Sequence, residues 1–253
     1  MSELPKLALS EAEVDEILRA SGRIAIVVGG QALAIWAKFY QLEIPAMLAA
    51  GVTRDADFIG NADTALLVQG ALGNKDWKFH QVRSGTLSPV AARLTLESAR
   101  GTKEIDFLNS ILGVHIDDLR SRAVPVALSD GYVVTVLHPL DVFASRLHNL
   151  AELTEKRDAK GVGQAALALR IAGAFLRDTI ARGKEREVFG QIERLRDIVT
   201  EPSIAAVCRG FGFEVLACVP LAQVTNENFK TRRWPQIRRD IALSIGSVEA
   251  DIG

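Results

Sequence analysis

The spacing of apolar and polar residues divides the chain into a first half with strand-like alternation and a second half with helical period. Ser10 and Glu13 have the spacing of a capping box, which predicts the start of a helix. Asp63 is the expected cap of a later helix. The predicted helices of this half span residues 10–20, 31–40 and 63–70, and the predicted strands span 23–28, 53–59, 77–82, 90–97 and 103–109, with a hairpin of 124–127 and 132–137.

The pattern changes at His138-Pro139, and helical period then continues to about residue 200. Pro139 suits the first position of a helix, where its missing N–H costs nothing. Helices are predicted at residues 140–156, 163–182, 184–199 and 233–244. The sequence therefore predicts an α/β domain of residues 1–138 followed by a helical domain of residues 139–253.

Composition changes this picture little. The chain has 253 residues, of which 48% are hydrophobic and 24% charged, so it can bury a core and is not a disordered chain. The formal net charge of -1 gives no global attraction to nucleic acid or membrane. Cys208 and Cys218 are expected to be buried free thiols. No stretch has the length of a membrane span or the pattern of a secretory signal, so a cytoplasmic location without a membrane partner is expected.

A phosphate-binding turn is predicted at Gly29-Gly30, which follows a strand and precedes a helix. Glycine lets a ligand approach the main chain, and the first N–H groups of the helix are unpaired. Such a junction attracts anions. A plain structural turn explains the same two residues when they are taken alone.

Three aspartates supply the candidate chemistry. Asp55 and Asp57 are two residues apart in a predicted strand and therefore share one face, while Asp106 lies between apolar residues of a later strand. Clustered carboxylates repel each other unless a cation binds them, and Mg²⁺ prefers oxygen ligands of this kind. Three such acids can hold two metal ions that clamp the attacking and leaving oxygens of a displacement. The alternative is that each aspartate is an exposed acid at a strand edge.

A Gly-Gly turn, an Asp-x-Asp strand and a single later Asp resemble the DNA polymerase β-like nucleotidyltransferase superfamily. The long spacer from Gly30 to Asp55 and the helical second half look more like its AbiEii-type branch of toxins. The resemblance covers about residues 23 to 182. It implies an α+β fold, in which a mixed sheet with flanking helices is followed by a helical C-terminal domain.

The resemblance also implies roles for single residues. Asp55, Asp57 and Asp106 would be the catalytic metal ligands for Mg²⁺ or Mn²⁺, with Asp106 also helping to deprotonate the acceptor hydroxyl. The residues expected to contact the nucleotide are Gly29, Gly30, Gln31 and Arg146. Gln31 stands where many relatives have serine, and Arg146 stands in place of a lysine on the first C-terminal helix. Arg157-Asp158 matches part of an Arg-Asp-x-x-Asp stretch, but Gly161 replaces its second acid.

The function implied is transfer of a nucleoside monophosphate from a nucleoside triphosphate (NTP) to an acceptor hydroxyl, with tRNA or another RNA favoured and an antitoxin protein as a partner. A basic segment, residues 230–239 with Trp234, also suits RNA, although a solvated helix face is the commoner explanation. Two alternatives remain: a small-molecule nucleotidyltransferase acting on an antibiotic, and a non-catalytic module that binds nucleotide or protein.

Overall fold

The computed structural model describes residues 5–46, 48, 56–82 and 88–246 of the chain. Arg54 and Asp55 lie outside these residues. Within them the chain is α+β: a helix precedes the first strand, further helices lie between strands, and only helices follow the last strand. The α-helices are α1 (Glu11–Ser21), α2 (Gly29–Phe39), α3 (Ala62–Ala71), α4 (Ile116–Arg122), α5 (Pro139–Glu152), α6 (Ala159–Ala181), α7 (Glu185–Thr200), α8 (Pro202–Phe211) and α9 (Trp234–Ile245).

The strands form one mixed sheet. Its seven described strands follow the order β3-β4-β5-β2-β1-β7-β6. The pairs β1–β7 and β2–β5 are parallel, and the other neighbours are antiparallel. The strands are β1 (Ile26–Val27), β2 (Ala56–Ile59), β3 (Lys78–Gln81), β4 (Val90–Ser98), β5 (Gly101–Leu108), β6 (Val124–Ala127) and β7 (Val133–Val136).

The described residues separate into two compact units. Unit 1 comprises those within Met1–Trp36 and Ile44–Val142, and unit 2 those within Ala37–Glu43 and Phe143–Gly253. The division runs through helices α2 and α5, a few residues beyond the domain boundary expected at 138/139. The whole sheet belongs to unit 1.

The core of unit 1 is built on one face of the sheet. Phe58 of β2 and Phe107 of β5 are fully buried, and their rings stack with centroids 5.7 Å apart. Since side chains alternate along a strand, the residues next to each phenylalanine in its own strand point to the opposite face. The second face of β2, β4 and β5 therefore carries polar side chains, among them Asp57 and Asp106.

The core of unit 2 is formed by helices α6 to α9, as helical period predicts. Phe189 and Phe229 stack with their ring centroids 4.1 Å apart. Cys208 and Cys218 are buried free thiols, which confirms that expectation. Burial raises the pKa of each thiol to about 12. Both cysteines are therefore packing residues, because thiol reactivity depends on the thiolate.

Several local predictions are corrected. Gly29-Gly30 is the first turn of α2 and not a separate turn before it. The cap of α3 is Asn61, whose side chain accepts from the N–H of Thr64, and Asp63 lies inside the helix. Two helices were not predicted from the sequence. Helix α4 is too short to show a helical period, and the one local sign of α8 is Pro202 at its first position.

Among the described residues, no single helix has both the length and the apolar character needed to cross a membrane. Pro202–Phe211 reaches that length and composition only when joined to Val215–Gln223, and the two are bent by 92°.

Candidate metal centre

Asp57 and Asp106 lie side by side on the polar face of the sheet. Strands β2 and β5 are parallel, and Asp57 is the register partner of Asp106. Register partners on neighbouring strands point to the same face, with the strands about 4.8 Å apart. The buried partners Ala56 and Ile105, one residue earlier, fix this orientation by anchoring both strands in the core. The structure thus brings together these two of the three aspartates.

The N-terminus of helix α2 lies directly against Asp57. Gly29 has φ +63, and a Cβ built on it would overlap Oδ2 of Asp57 and lie 3.2 Å from the Cβ of that residue. The main chain N–H of Val28 donates to the carbonyl of Asp57 at 3.0 Å, which ties the two segments together. Only glycine allows this approach together with a left-handed backbone. The predicted neighbourhood of the glycines and the Asp57 carboxylate is therefore present.

The other two residues predicted at this turn follow in α2. Gly30 is partly buried, and Gln31 is 3% exposed in unit 1. The first N–H groups of an α-helix lack partners within the helix and carry the positive end of its dipole. The positive end of α2 lies against the carboxylate of Asp57. The helix end therefore suits an anion, and the carboxylate suits a cation bound next to it. The phosphate contacts of Gly29, Gly30 and Gln31 stay predictions.

Asp106 has a cationic partner that sequence reasoning missed. Nε of Arg93, on β4, donates to Oδ1 of Asp106 at 2.6 Å, and Nη2 donates to Oδ2 at 3.1 Å. This is a bidentate, charge-assisted pair. The two residues are register partners of β4 and β5, and the Asp106 side chain is 14% exposed against 36% for Arg93.

Arg93 also contacts a second acid on β5. Its Nη1 donates to Oε1 of Glu104 at 3.1 Å, and Oε2 of Glu104 is 3.0 Å from Nζ of Lys6. Glu104 and Asp106 are two residues apart and therefore share a face. Charges alternate along this row, from Lys6 through Glu104 and Arg93 to Asp106.

This row of charges could not be predicted from the sequence, because it depends on the register between strands. Arg93 is one of many arginines, and only the antiparallel pairing of β4 with β5 sets it opposite Asp106. The one local signal was its position between two core residues, Ala92 and Leu94, which predicts a side chain on the polar face.

The candidate residues that lie in unit 2 have hydrogen-bond partners within the protein. Nη1 of Arg146, in unit 2, donates to Oε1 of Gln164 at 3.2 Å, so this arginine has a polar partner, and its phosphate contact stays a prediction. Asp158 caps α6 by accepting from the N–H of Gly161 at 2.7 Å. Nε of Arg157 donates to the carbonyl of Leu150 at 2.7 Å. Arg157 and Asp158 therefore have structural roles at helix ends.

The basic segment is also explained by packing. Trp234 is 8% exposed and belongs to the core of unit 2, so its ring is not available to stack on a base. Nη2 of Arg233 donates to Oε2 of Glu193 at 2.6 Å, and Lys230 pairs with Glu227 at 3.1 Å. The burial of Trp234 therefore gives no support to an aromatic RNA contact, which was the less favoured explanation of this segment.

The residues present fit a hard divalent cation. Asp57 and Asp106 offer only oxygen ligands, which a hard divalent cation prefers, and the missing side chain of Gly29 lets the start of α2 approach the Asp57 carboxylate. Within the part of the chain that the structure describes, no group of three or more His, Cys, Asp or Glu side chains forms a metal cluster. Asp55, the predicted third ligand, lies outside that part.

No protein-family model matches this chain, and no curated protein matches it.

Proposed function

We propose that the chain is a metal-dependent nucleotidyltransferase. One observation carries the proposal: Asp57 and Asp106 are register partners, and Gly29 at the start of α2 packs against Asp57. This arrangement joins a carboxylate pair to a helix N-terminus, which suits a cation and a phosphate bound next to each other. The order Gly-Gly, Asp-x-Asp and later Asp, which resembles the nucleotidyltransferase superfamily, supports the same conclusion.

The proposed reaction is the one that the family resemblance implies. The acceptor hydroxyl oxygen forms a bond to the α-phosphorus of the NTP, the bond from that phosphorus to the bridging oxygen of the β-phosphate breaks, and pyrophosphate leaves. The hydroxyl proton passes to a base, a role that suits the carboxylate of Asp106. Each carboxylate oxygen has two lone pairs, so Asp106 keeps acceptor capacity beyond its two bonds to Arg93.

Mg²⁺ or Mn²⁺ held by Asp57, Asp106 and the predicted ligand Asp55 would supply electrostatic stabilisation of the charge that develops on the phosphate oxygens. The protein itself contributes position. Asp57 is fixed by a strand with buried neighbours on both sides, Ala56 and Phe58. The first turn of α2 is fixed by the close packing of Gly29 on that strand. Rigid placement of this kind replaces much of the entropy cost of bringing reactants together.

The acceptor and the biological role rest on the family resemblance. That resemblance favours tRNA or another RNA as acceptor and a toxin paired with an antitoxin, and the burial of Trp234 removes one argument for RNA. A small-molecule hydroxyl is the other acceptor class.

A thermal-shift experiment tests the proposed site. We expect Mg²⁺ together with an NTP to raise the melting temperature more than either alone, because a ligand that binds only the folded state stabilises it. At a ligand concentration 100 times its Kd the gain is about 2.7 kcal/mol. Asp57→Asn, which keeps the shape of the side chain but removes its charge, should abolish the gain.

Asp76→Asn is the matched control. Asp76 is an exposed acid of unit 1, and its replacement makes the same change of charge. This variant should keep the full gain from Mg²⁺ and NTP. A gain that persists in Asp57→Asn would refute the proposed site.

A further inference from the structure

We propose that Arg93 is a positioning residue that competes with the divalent cation for Asp106, and that Glu104 retains Arg93 when the cation binds. The inference rests on the proposed function, which it extends to the control of metal affinity. It is carried by the hydrogen bonds of Arg93 to both acids.

The first step is that Arg93 already pairs with Asp106, one of the two proposed metal ligands in the described part of the chain. Its guanidinium makes two bonds to the carboxylate of Asp106, at 2.6 and 3.1 Å. This fork fixes the plane of the carboxylate as well as neutralising its charge. Without a counter-charge, the neighbouring carboxylates of Asp57 and Asp106 would repel each other.

The second step is competition. A divalent cation at Asp106 lies close to the fixed positive charge of Arg93, which opposes its binding. A divalent cation and a unit positive charge 4 Å apart repel each other by about 2 kcal/mol in water and by more at a half-buried site. The guanidinium stays protonated at all working pH values, so it cannot escape this conflict by losing its charge. Either Arg93 moves from Asp106 or the cation binds more weakly.

The third step is that the structure provides an alternative partner. Glu104 accepts from Nη1 of Arg93 at 3.1 Å and stands two residues from Asp106 on the same strand and face. Arg93 can therefore leave Asp106 without becoming a buried unpaired charge. Lys6, 3.0 Å from the far oxygen of Glu104, holds that acid in place. The row thus has two arrangements, which differ in whether Arg93 or a cation satisfies Asp106.

Titration with Mn²⁺, followed by loss of the free-ion electron paramagnetic resonance signal, tests the inference without measuring activity. Arg93→Gln should bind Mn²⁺ about thirtyfold more tightly than the wild-type chain, which corresponds to removal of one repulsive interaction of about 2 kcal/mol. Arg93→Lys keeps the charge and loses the fork, so its affinity should fall between the two. Lys78→Gln removes a cation that pairs with Glu97 at the exposed edge of the same sheet, and its affinity should match the wild type.

The role of Glu104 is tested by a double-mutant cycle. Glu104→Gln alone should weaken Mn²⁺ binding, because Arg93 then loses the acid that would retain it away from Asp106. In the Arg93→Gln background the same substitution should have a much smaller effect. Equal effects in both backgrounds would show that Glu104 acts through its own charge and would overturn its role as the alternative partner.

The outcomes separate the two proposals. If Asp57→Asn abolishes Mn²⁺ binding but folded Arg93→Gln binds Mn²⁺ no more tightly than the wild type, the inference fails and the proposed function stands. If Arg93→Gln does not fold, an Arg93→Lys affinity equal to or below that of the wild type overturns the inference. If neither the wild type nor any Arg93 variant binds Mn²⁺ with or without an NTP, both proposals fall.

Discussion

At the scale of single residues, Gly29 has the most direct link to the candidate site. Two separate demands act on it: a φ of +63 and the carboxylate of Asp57 in the space of a Cβ. A side chain with a Cβ in left-handed backbone costs about 1 kcal/mol. The overlap with Asp57 adds a cost and displaces the carboxylate.

Gly29→Ala should therefore lower stability and also abolish the stabilisation by Mg²⁺ and NTP. Gly131 provides the matched control, because it has φ +82 and nothing within 4 Å of its Cβ position. Gly131→Ala should lose stability by backbone strain alone, about 1 kcal/mol, and keep the ligand effect. Melting curves of both variants with and without ligand measure the difference. Equal ligand effects in the two variants would show that the position of Asp57 does not depend on Gly29.

At the scale of elements, the start of α1 was predictable and the partners of strands were not. Ser10 and Glu13 form the predicted capping box, since a cap is made by residues three apart in sequence. The alternation of Ala56, Asp57 and Phe58 also followed from the sequence. Arg93 opposite Asp106 did not, because register depends on pairing between segments far apart in sequence.

The capping box also shows how a local motif gains a long-range partner. Oε2 of Glu13 accepts from the N–H of Ser10 at 2.8 Å, and Nζ of Lys103 on β5 lies 2.7 Å from the same oxygen. Burial tends to raise the pKa of Glu13, but the bonds to Lys103 and Ser10 hold that pKa below its ordinary value. A carboxyl with a lowered folded-state pKa stabilises the fold above its unfolded pKa, and that contribution is lost as pH falls through the folded value.

Glu13→Gln should accordingly flatten the acid side of the stability profile. Glutamine keeps the cap hydrogen bonds and loses the charge, so the variant should be less stable than the wild type at pH 6 and should approach it below about pH 4. Melting temperatures between pH 3 and 6 provide the measurement. Glu11→Gln makes the same change of charge in the first turn of α1 and leaves the Lys103 pair intact, so its stability profile should stay close to that of the wild type. A Glu13→Gln profile parallel to that of the wild type would contradict the role of the Lys103 pair.

At the scale of the whole molecule, the candidate chemistry is concentrated in unit 1, while the net charge of the chain is only -1. A nearly neutral protein attracts neither RNA nor a small acidic substrate over long distances. In the proposed reaction, local contacts would therefore decide which acceptor binds. The bond that breaks, in contrast, follows from the proposed reaction, since the attacked phosphorus is the one that remains on the product.

Isotope position thus tests the reaction on the intact chain. In the presence of Mg²⁺ and cell extract, an NTP labelled at the α-phosphate should label an acceptor, whereas the same NTP labelled at the γ-phosphate should release its label as pyrophosphate. Asp57→Asn should lower the transfer by a large factor, and Asp76→Asn should not. Separation of the labelled product into RNA, protein and small molecules names the acceptor class. Transfer of the γ-label to an acceptor would identify a kinase reaction instead. Mg²⁺-dependent nucleotide binding without transfer of either label would identify a non-catalytic binding module. Either result would contradict the proposed reaction, because the bond at the α-phosphorus stays intact in both.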